Sequence, residues 1–279
     1  MKVSQKKFTE AIEKGFQERE IHFRTETVKI AKAEPLIKLS DVQLEHLLKG
    51  DGQNGDQYKQ INSSTGLVVN YFKLLESTGR ISDLDFEVKV ARPLNGKGGK
   101  DANLDVSFIT DGKLFYVESK FLEPYYSGNE TNRDAYFDPK RYAPECKSDI
   151  NSWIKLFKDA DTFKVYNVSQ LCRHLLAIYR KSSQENFNTS TVLQSITWSM
   201  TDKFLAFLND DVELEEMMAR REELDKEAKN AQLLLNNFIK TIKWTNMSFE
   251  VSSYNDKDVL NLIEGTKEYN EFLKRYFLD

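Results

Sequence analysis

Apolar and polar positions alternate most cleanly over Leu84–Ala91, where Leu84, Phe86, Val88 and Val90 interleave with Asp85, Glu87 and Lys89. That period of two predicts a half-buried strand. Two more apolar runs, Leu104–Ile109 and Leu114–Val117, flank Asp111-Gly112. An Asp-Gly pair between strand-like runs predicts a β-hairpin, because both turn residues must take positive φ. Thr191–Trp198, β-branched and aromatic, reads as the strand that closes the sheet, and Trp244–Tyr254 as one more. Elsewhere the spacing turns helical. Val3, Phe8, Ile12 and Phe16 predict an amphipathic helix over 3–20, and Ser40 the cap of a short helix reaching Leu48. Ser63 or Ser64 starts a helix carrying Leu67, Val68, Tyr71, Phe72, Leu74 and Leu75, which stops at Thr78-Gly79. Helices over Lys147–Lys158 and Ser169–Lys181 come next, the second with Gln170 and His174 on one face. Thr201–Lys240 reads as a long helical segment in which Glu213, Glu215, Glu216, Glu222, Glu223 and Glu227 form a solvated face. Val259–Leu278 reads as a final amphipathic helix.

The hairpin carries the candidate chemistry. With Asp111-Gly112 as a two-residue turn, Thr110 faces Lys113, and the same register sets Asp105 opposite Glu118. Directly paired side chains share a face with Cβ atoms about 5 Å apart. Lys120, two residues beyond Glu118, shares that face. Carboxylates so placed repel, and a divalent cation offsets the repulsion; hard oxygen ligands suit Mg²⁺. Mg²⁺ held by one or two carboxylates keeps several waters, bridges to a phosphate and lowers the pKa of an attacking water. Lys120 then orients the water or neutralises the developing oxyanion. The same spacing also describes a surface hairpin with solvated Asp105 and Glu118 and a bridging Lys120.

Asp105, followed on the next strand by Glu118-Ser119-Lys120, resembles the signature of the PD-(D/E)XK nuclease superfamily, the restriction-endonuclease-like fold. A prokaryotic group within it is a nearer likeness. The shared stretches are Ser63-Ser64 to Asn70-Tyr71-Phe72 and the glycine-rich run into Asn103-Leu104-Asp105. Further on come Glu118-Ser119-Lys120-Phe121 with Glu123-Pro124, and Gln170-Leu171 with His174. The resemblance implies an α/β (α+β) fold, a central mixed sheet flanked by helices. Residues 51–200 form its core, 1–50 an N-terminal helical addition and 201–279 a helical segment packed on the core. It implies Mg²⁺-dependent phosphodiester hydrolysis, with Mn²⁺ as a substitute, usually of DNA, in restriction, defence or repair, and more often endonucleolytic than exonucleolytic. Asp105 and Glu118 are then the metal ligands, Lys120 the catalytic lysine, and Gln170 the residue that positions the water or phosphate. Relatives often carry a glutamate before the first core helix. Here Asp56 stands near that place, a candidate third acidic ligand.

Composition adds constraints. At 279 residues, 40% hydrophobic and 30% charged, the chain fits one large domain or a core with an appended lobe. No apolar run approaches the ~20 residues of a membrane span, and the charged N-terminus gives no export signal. Cys146 and Cys172 have no metal-cage spacing, so reduced thiols in a cytoplasm are expected. The net charge of −4 works against a polyanion ligand, so any basic face must be local. Candidates for it are Lys97 and Lys100 beside Gly96, Gly98 and Gly99, then Lys140, Arg141 and Arg173. The glycine loop lacks the Lys-Ser/Thr ending of a phosphate-binding P-loop, which excludes that type of ATP site. Tyr125, Tyr126, Tyr136, Phe137 and Tyr142, interleaved with Arg133, Lys140 and Arg141, either stack bases or anchor a long loop. Many restriction-like nucleases are dimers, because two DNA strands need two sites, so the resemblance implies a homodimer or a defence-system partner subunit. The rival reading is a catalytically silent nucleic-acid-binding or protein-interaction module on the same fold.

Overall fold

A computed structural model describes residues 10, 13–14, 24–25, 31–49, 55–96, 100–185, 189–206 and 211–277. Among them, five strands form one sheet in sequence order. These are β1 (Ser82–Lys89), β2 (Asn103–Thr110), β3 (Lys113–Lys120), β4 (Thr191–Thr197) and β5 (Met247–Ser253). The first three make an antiparallel meander, whereas β3–β4 and β4–β5 pair in parallel. Parallel neighbours need crossover connections, which here contain helices. Helices α1 (Asp41–Lys49) and α2 (Ser64–Ser77) precede the sheet. Helices α3 (Ile150–Ala160) and α4 (Val168–Glu185) lie between β3 and β4, α5 (Asp211–Thr241) between β4 and β5, and α6 (Tyr269–Phe277) after β5. The mixed sheet with flanking helices is the restriction-endonuclease-like core expected of the resemblance.

Local chemistry explains the elements. Asp111 and Gly112 have φ of 49° and 70°, the pair of positive values that a tight two-residue turn demands. The ladder then runs from Thr110–Lys113 to Val106–Val117. Ser63 caps α2, its Oγ accepting the Gly66 N–H at 3.3 Å. Ser40 and Gln43 satisfy each other's backbone N–H at 3.2 Å at the start of α1, a capping box. One face of the sheet packs on α2, with Phe72 5.6 Å from Phe108, ring centre to ring centre. The opposite face meets α4, where His174 approaches Glu118.

Three expectations change. Thr191–Thr197 does not close the sheet, because β5 pairs along its outer side. The division at 200 does not separate core from addition, since that fifth strand comes from 247–253. The helix over 201–240 is two helices, a single turn at Asp202–Leu205 and then α5. The C-terminus is tied into the same core. Buried Asn70 accepts the Leu36 N–H at 2.7 Å and donates to the Tyr276 hydroxyl at 2.6 Å, while the Trp198 indole donates to the Tyr276 carbonyl. The helix expected over 3–20, with Val3, Phe8, Ile12 and Phe16, lies largely outside the described residues, which include only 10, 13 and 14, all helical. Among the described residues no helix is long and apolar enough to cross a membrane.

Candidate active site

The site is built where β2 begins and β3 ends. Backbone pairing stops at Val106–Val117, and the next register pair is Asp105 and Glu118. There a side chain takes over from the ladder: Asp105 Oδ2 accepts the Ser119 N–H at 2.6 Å. Glu118, 2% exposed, has a basic side chain beside each oxygen. Lys120 Nζ lies 2.6 Å from Oε1, and His174 Nε2 lies 3.0 Å from Oε2. The hairpin thus brings Asp105, Glu118 and Lys120 together, and α4 adds His174.

The two carboxylates differ electrically. Burial alone would raise Glu118, but Lys120 and then His174 outweigh it and bring its pKa down to about 2. Burial pushes Asp105 well above the usual carboxylate range; Glu118 and Glu87 push the same way, against Lys120 and the Ser119 N–H. For Lys120, burial works against the ammonium, yet Glu118, Glu123 and Asp105 prevail and hold its pKa far above normal. Glu118 therefore has Lys120 as its counter-charge, whereas Asp105 faces two other acids. A divalent cation removes that imbalance, and the hard oxygens of Asp105 and Glu118 suit Mg²⁺ with waters completing its shell. Among the described residues, no group of three or more His, Cys, Asp or Glu side chains is arranged to hold a metal ion. The fit thus rests on two carboxylates.

Two cavities lie by this cluster; Glu118 and Lys120 line the first, His174 the second, and Asp105 neither. One of about 290 Å³ is lined by Glu118, Lys120, Glu123, Tyr166 and Asn167 among others. The other, about 580 Å³, takes Asn103, Lys100, Arg133, Arg141, Arg173 and His174 into its walls. Gln170 and Glu130 line both, so Gln170 stands on the partition. Asn167 fixes it from the preceding turn, accepting the Gln170 N–H at 3.2 Å and donating to its Oε1 at 3.1 Å.

The remaining candidates separate. Lys100, Arg141 and Arg173 converge on the larger cavity, with Arg173 paired to Glu130 at 2.9 Å and Arg141 packed on Gly96. Lys140 does not join them. Asp138 caps the short turn Pro139–Arg141 through the Lys140 N–H at 3.0 Å, and the exposed Lys140 lines neither cavity while its neighbour Arg141 does. Lys97 lies outside the described residues. Asp56 is exposed beside Lys59, 3.9 Å away, and lines neither cavity. Tyr125 and Tyr142 are buried and anchor their loop, whereas Tyr136, packed 4.5 Å from Phe157, also lines the larger cavity.

Sequence reasoning passed over Glu87 and left His174 without a role. Between the pairs Phe86–Val106 and Val88–Leu104, Glu87 lies opposite Asp105, so three neighbouring strands each contribute a carboxylate. Its φ of 54° is unusual for a strand residue, and its carboxylate accepts from the Asn103 amide. Only the folded register of β1 against β2 reveals it.

A model of the family described as "Restriction Endonuclease associating with ARP" matches residues 3–219. No curated protein and no solved structure matches the chain.

Proposed function

The chain belongs to this restriction-endonuclease family, and from that premise we propose that it is a metal-dependent nuclease hydrolysing phosphodiester bonds in DNA. The observation that carries the reading is the meeting of Asp105, Glu118 and Lys120 at one end of the hairpin, where the cavity lined by Glu118 and Lys120 shares Gln170 with a second cavity lined by Lys100, Arg133, Arg141 and Arg173. Asp105 and Glu118 would hold Mg²⁺, or Mn²⁺ in its place. The ion, when bound, supplies a Lewis acid for a phosphate oxygen and a water of lowered pKa.

The protein's own groups do the rest. Lys120, an ammonium fixed against Glu118, offsets negative charge developing on the phosphate. His174 Nε2 stands 3.0 Å from the second Glu118 oxygen and confines that carboxylate from the α4 side. Gln170, on the partition between the cavities, orients the attacking water or the phosphate. Lys100, Arg133, Arg141 and Arg173 meet backbone phosphates in the larger cavity, which is how a chain of net charge −4 holds a polyanion. The family's description names an association with ARP. We extend that association to this chain as the partner of a restriction or defence activity in a prokaryotic cytoplasm, a compartment that suits its free, buried Cys146 and Cys172.

A second reading is a silent module that binds nucleic acid without cutting it. It is favoured by the want of a three-ligand metal group among the described residues. The two separate when parent protein and Asp105→Ala are incubated with DNA and RNA in Mg²⁺, Mn²⁺ or EDTA. The nuclease yields metal-dependent products from DNA with the parent alone. Binding without product in every metal would establish the silent module.

A further inference from the structure

Helix α5 looks like a charged surface helix, yet its inner stripe touches both walls of the smaller cavity. Met217, Leu224, Ala228, Ala231 and Leu235 are buried along it at spacings of three, four and seven. Arg220 and Glu227 lie in the same stripe, two helical turns apart. Both come after residue 219, where the family match ends.

Glu227 is 5% exposed and binds backbone rather than solvent or a cation. Its Oε1 accepts the Lys164 N–H and its Oε2 the Val165 and Tyr166 N–H groups, each at 2.8 Å. Three consecutive amides are thereby fixed by one carboxylate, a strong arrangement because the acceptor is charged. Tyr166 and Asn167 carry the restraint into the site. The Tyr166 hydroxyl donates to Ser195 Oγ at 2.6 Å, and Ser195 pairs in register with Glu118 on the adjoining strand. Asn167 then fixes Gln170.

Arg220 grips the opposite wall, donating through Nε to the Pro124 carbonyl and through Nη2 to the Ser127 carbonyl. The two walls also join each other. The Lys164 carbonyl accepts the Asn129 N–H at 2.9 Å, and a Cβ at Gly128 would stand only 2.8 Å from that oxygen. The Lys164 peptide is therefore held on one side by Glu227 and on the other by 128–129. Pro124, Ser127, Gly128, Val165 and Tyr166 all line the cavity that contains Glu118 and Lys120.

We infer that Arg220 and Glu227 are positioning residues: from one face of α5 they set the spacing of the 124–128 and 164–167 loops, and through Tyr166 and Asn167 the placement of Gln170 beside Glu118 and Lys120. The inference rests on the nuclease reading, and it makes the segment beyond the family match a working part of the site. Neither residue touches the substrate, so they act on turnover rather than on DNA affinity, which the cations of the other cavity supply.

The test compares the parent with Glu227→Gln and Arg220→Lys in the full chain. Readouts are amide hydrogen exchange, DNA binding in EDTA, and single-turnover cleavage at saturating DNA. Glu227→Gln keeps the volume but leaves at most one acceptor oxygen for three N–H groups. Exchange at 164–166 should rise about tenfold, with β3 amides unchanged. Cleavage should fall about ten- to a hundredfold while DNA affinity stays within about twofold, as expected when reacting groups are displaced without touching binding contacts. Arg220→Lys should slow cleavage in the same way without exposing 164–166. If Glu227→Gln does not fold, Arg220→Lys decides the matter alone. Parent-like cleavage in Arg220→Lys, or in a Glu227→Gln whose 164–166 amides exchange faster, would reduce the contacts to fold stability and overturn the inference, and so would unchanged 164–166 exchange in Glu227→Gln. A parent that cuts nothing in any metal overturns the nuclease reading itself, a result visible before any variant is made.

Discussion

The hairpin end and helix α5 both deliver carboxylates to one site, by opposite routes. Asp105 and Glu118 are brought together by a two-residue turn, so thirteen positions of chain suffice to place them. Glu227 reaches the 164–166 amides from some sixty residues away, after a helix, a strand and a crossover have folded. The first pair repel each other, and in the proposed nuclease that imbalance would be what a cation relieves. The second satisfies three backbone donors and makes its neighbourhood rigid. On the proposed reading, acids aligned by a local turn would supply the reactivity, and an acid at a distant contact its geometry.

The contrast is broken most severely at Asp105. Asp105→Ala should abolish metal-dependent cleavage, a loss of at least about a thousandfold, measured as product per enzyme in Mg²⁺. Stability should change little in the same variant. It loses one bond to the Ser119 N–H, about 1 kcal/mol, and is relieved of the repulsion from Glu118 and Glu87. A thermal melt well below the parent's would mean that Asp105 is a structural acid like Glu227. Lys120→Ala should come next, with a loss of about a hundredfold in turnover and little loss of affinity, because its charge acts on the transition state. Equal losses in binding and turnover would make it a phosphate anchor.

Glu227→Ala should behave in the reverse sense. Three N–H groups lose a buried acceptor, which costs about 3 kcal/mol once water has entered. The expected result is a lowered denaturation midpoint with an unchanged m-value. A midpoint equal to the parent's would show that solvent replaces the carboxylate freely, and the comparison of reactive with structural acids would collapse.

Legibility in the sequence obeys the same division. The hairpin was readable because its turn residues are diagnostic and its register is counted outward from them. Glu87 escaped because the connection from β1 to β2 is long, so no turn sets the register between those strands. His174 was visible as the partner of Gln170 on α4, but only folding shows which carboxylate it meets. Glu227 was grouped with the solvated glutamates of its helix, since charge alone does not separate them. Its position three after Leu224 and four before Ala231, both buried, is the signal that marks it. The fifth strand was recognisable as a strand, whereas its place outside β4 depends on a crossover that composition does not encode.

The smallest expected effect separates neighbours that the sequence treated alike. Lys140 and Arg141 were both candidates for phosphate contact, yet only Arg141 lines the cationic cavity. Each phosphate contact contributes about one unit to the logarithmic dependence of DNA affinity on salt. Arg141→Ala should lower that slope by about one unit, as should Lys100→Ala, while Lys140→Ala should leave it unchanged. Binding isotherms in EDTA at several salt concentrations measure all three. Arg141 also packs on Gly96, so Arg141→Gln, which keeps part of the side chain and removes the charge, separates the loss of a phosphate contact from a shift of that loop. Equal slopes for Lys140→Ala and Arg141→Ala would mean that DNA lies across the outer surface of the 139–141 turn. The cavity would then hold no phosphate, and the path of the substrate past Glu118 would have to be redrawn from Lys140 inward.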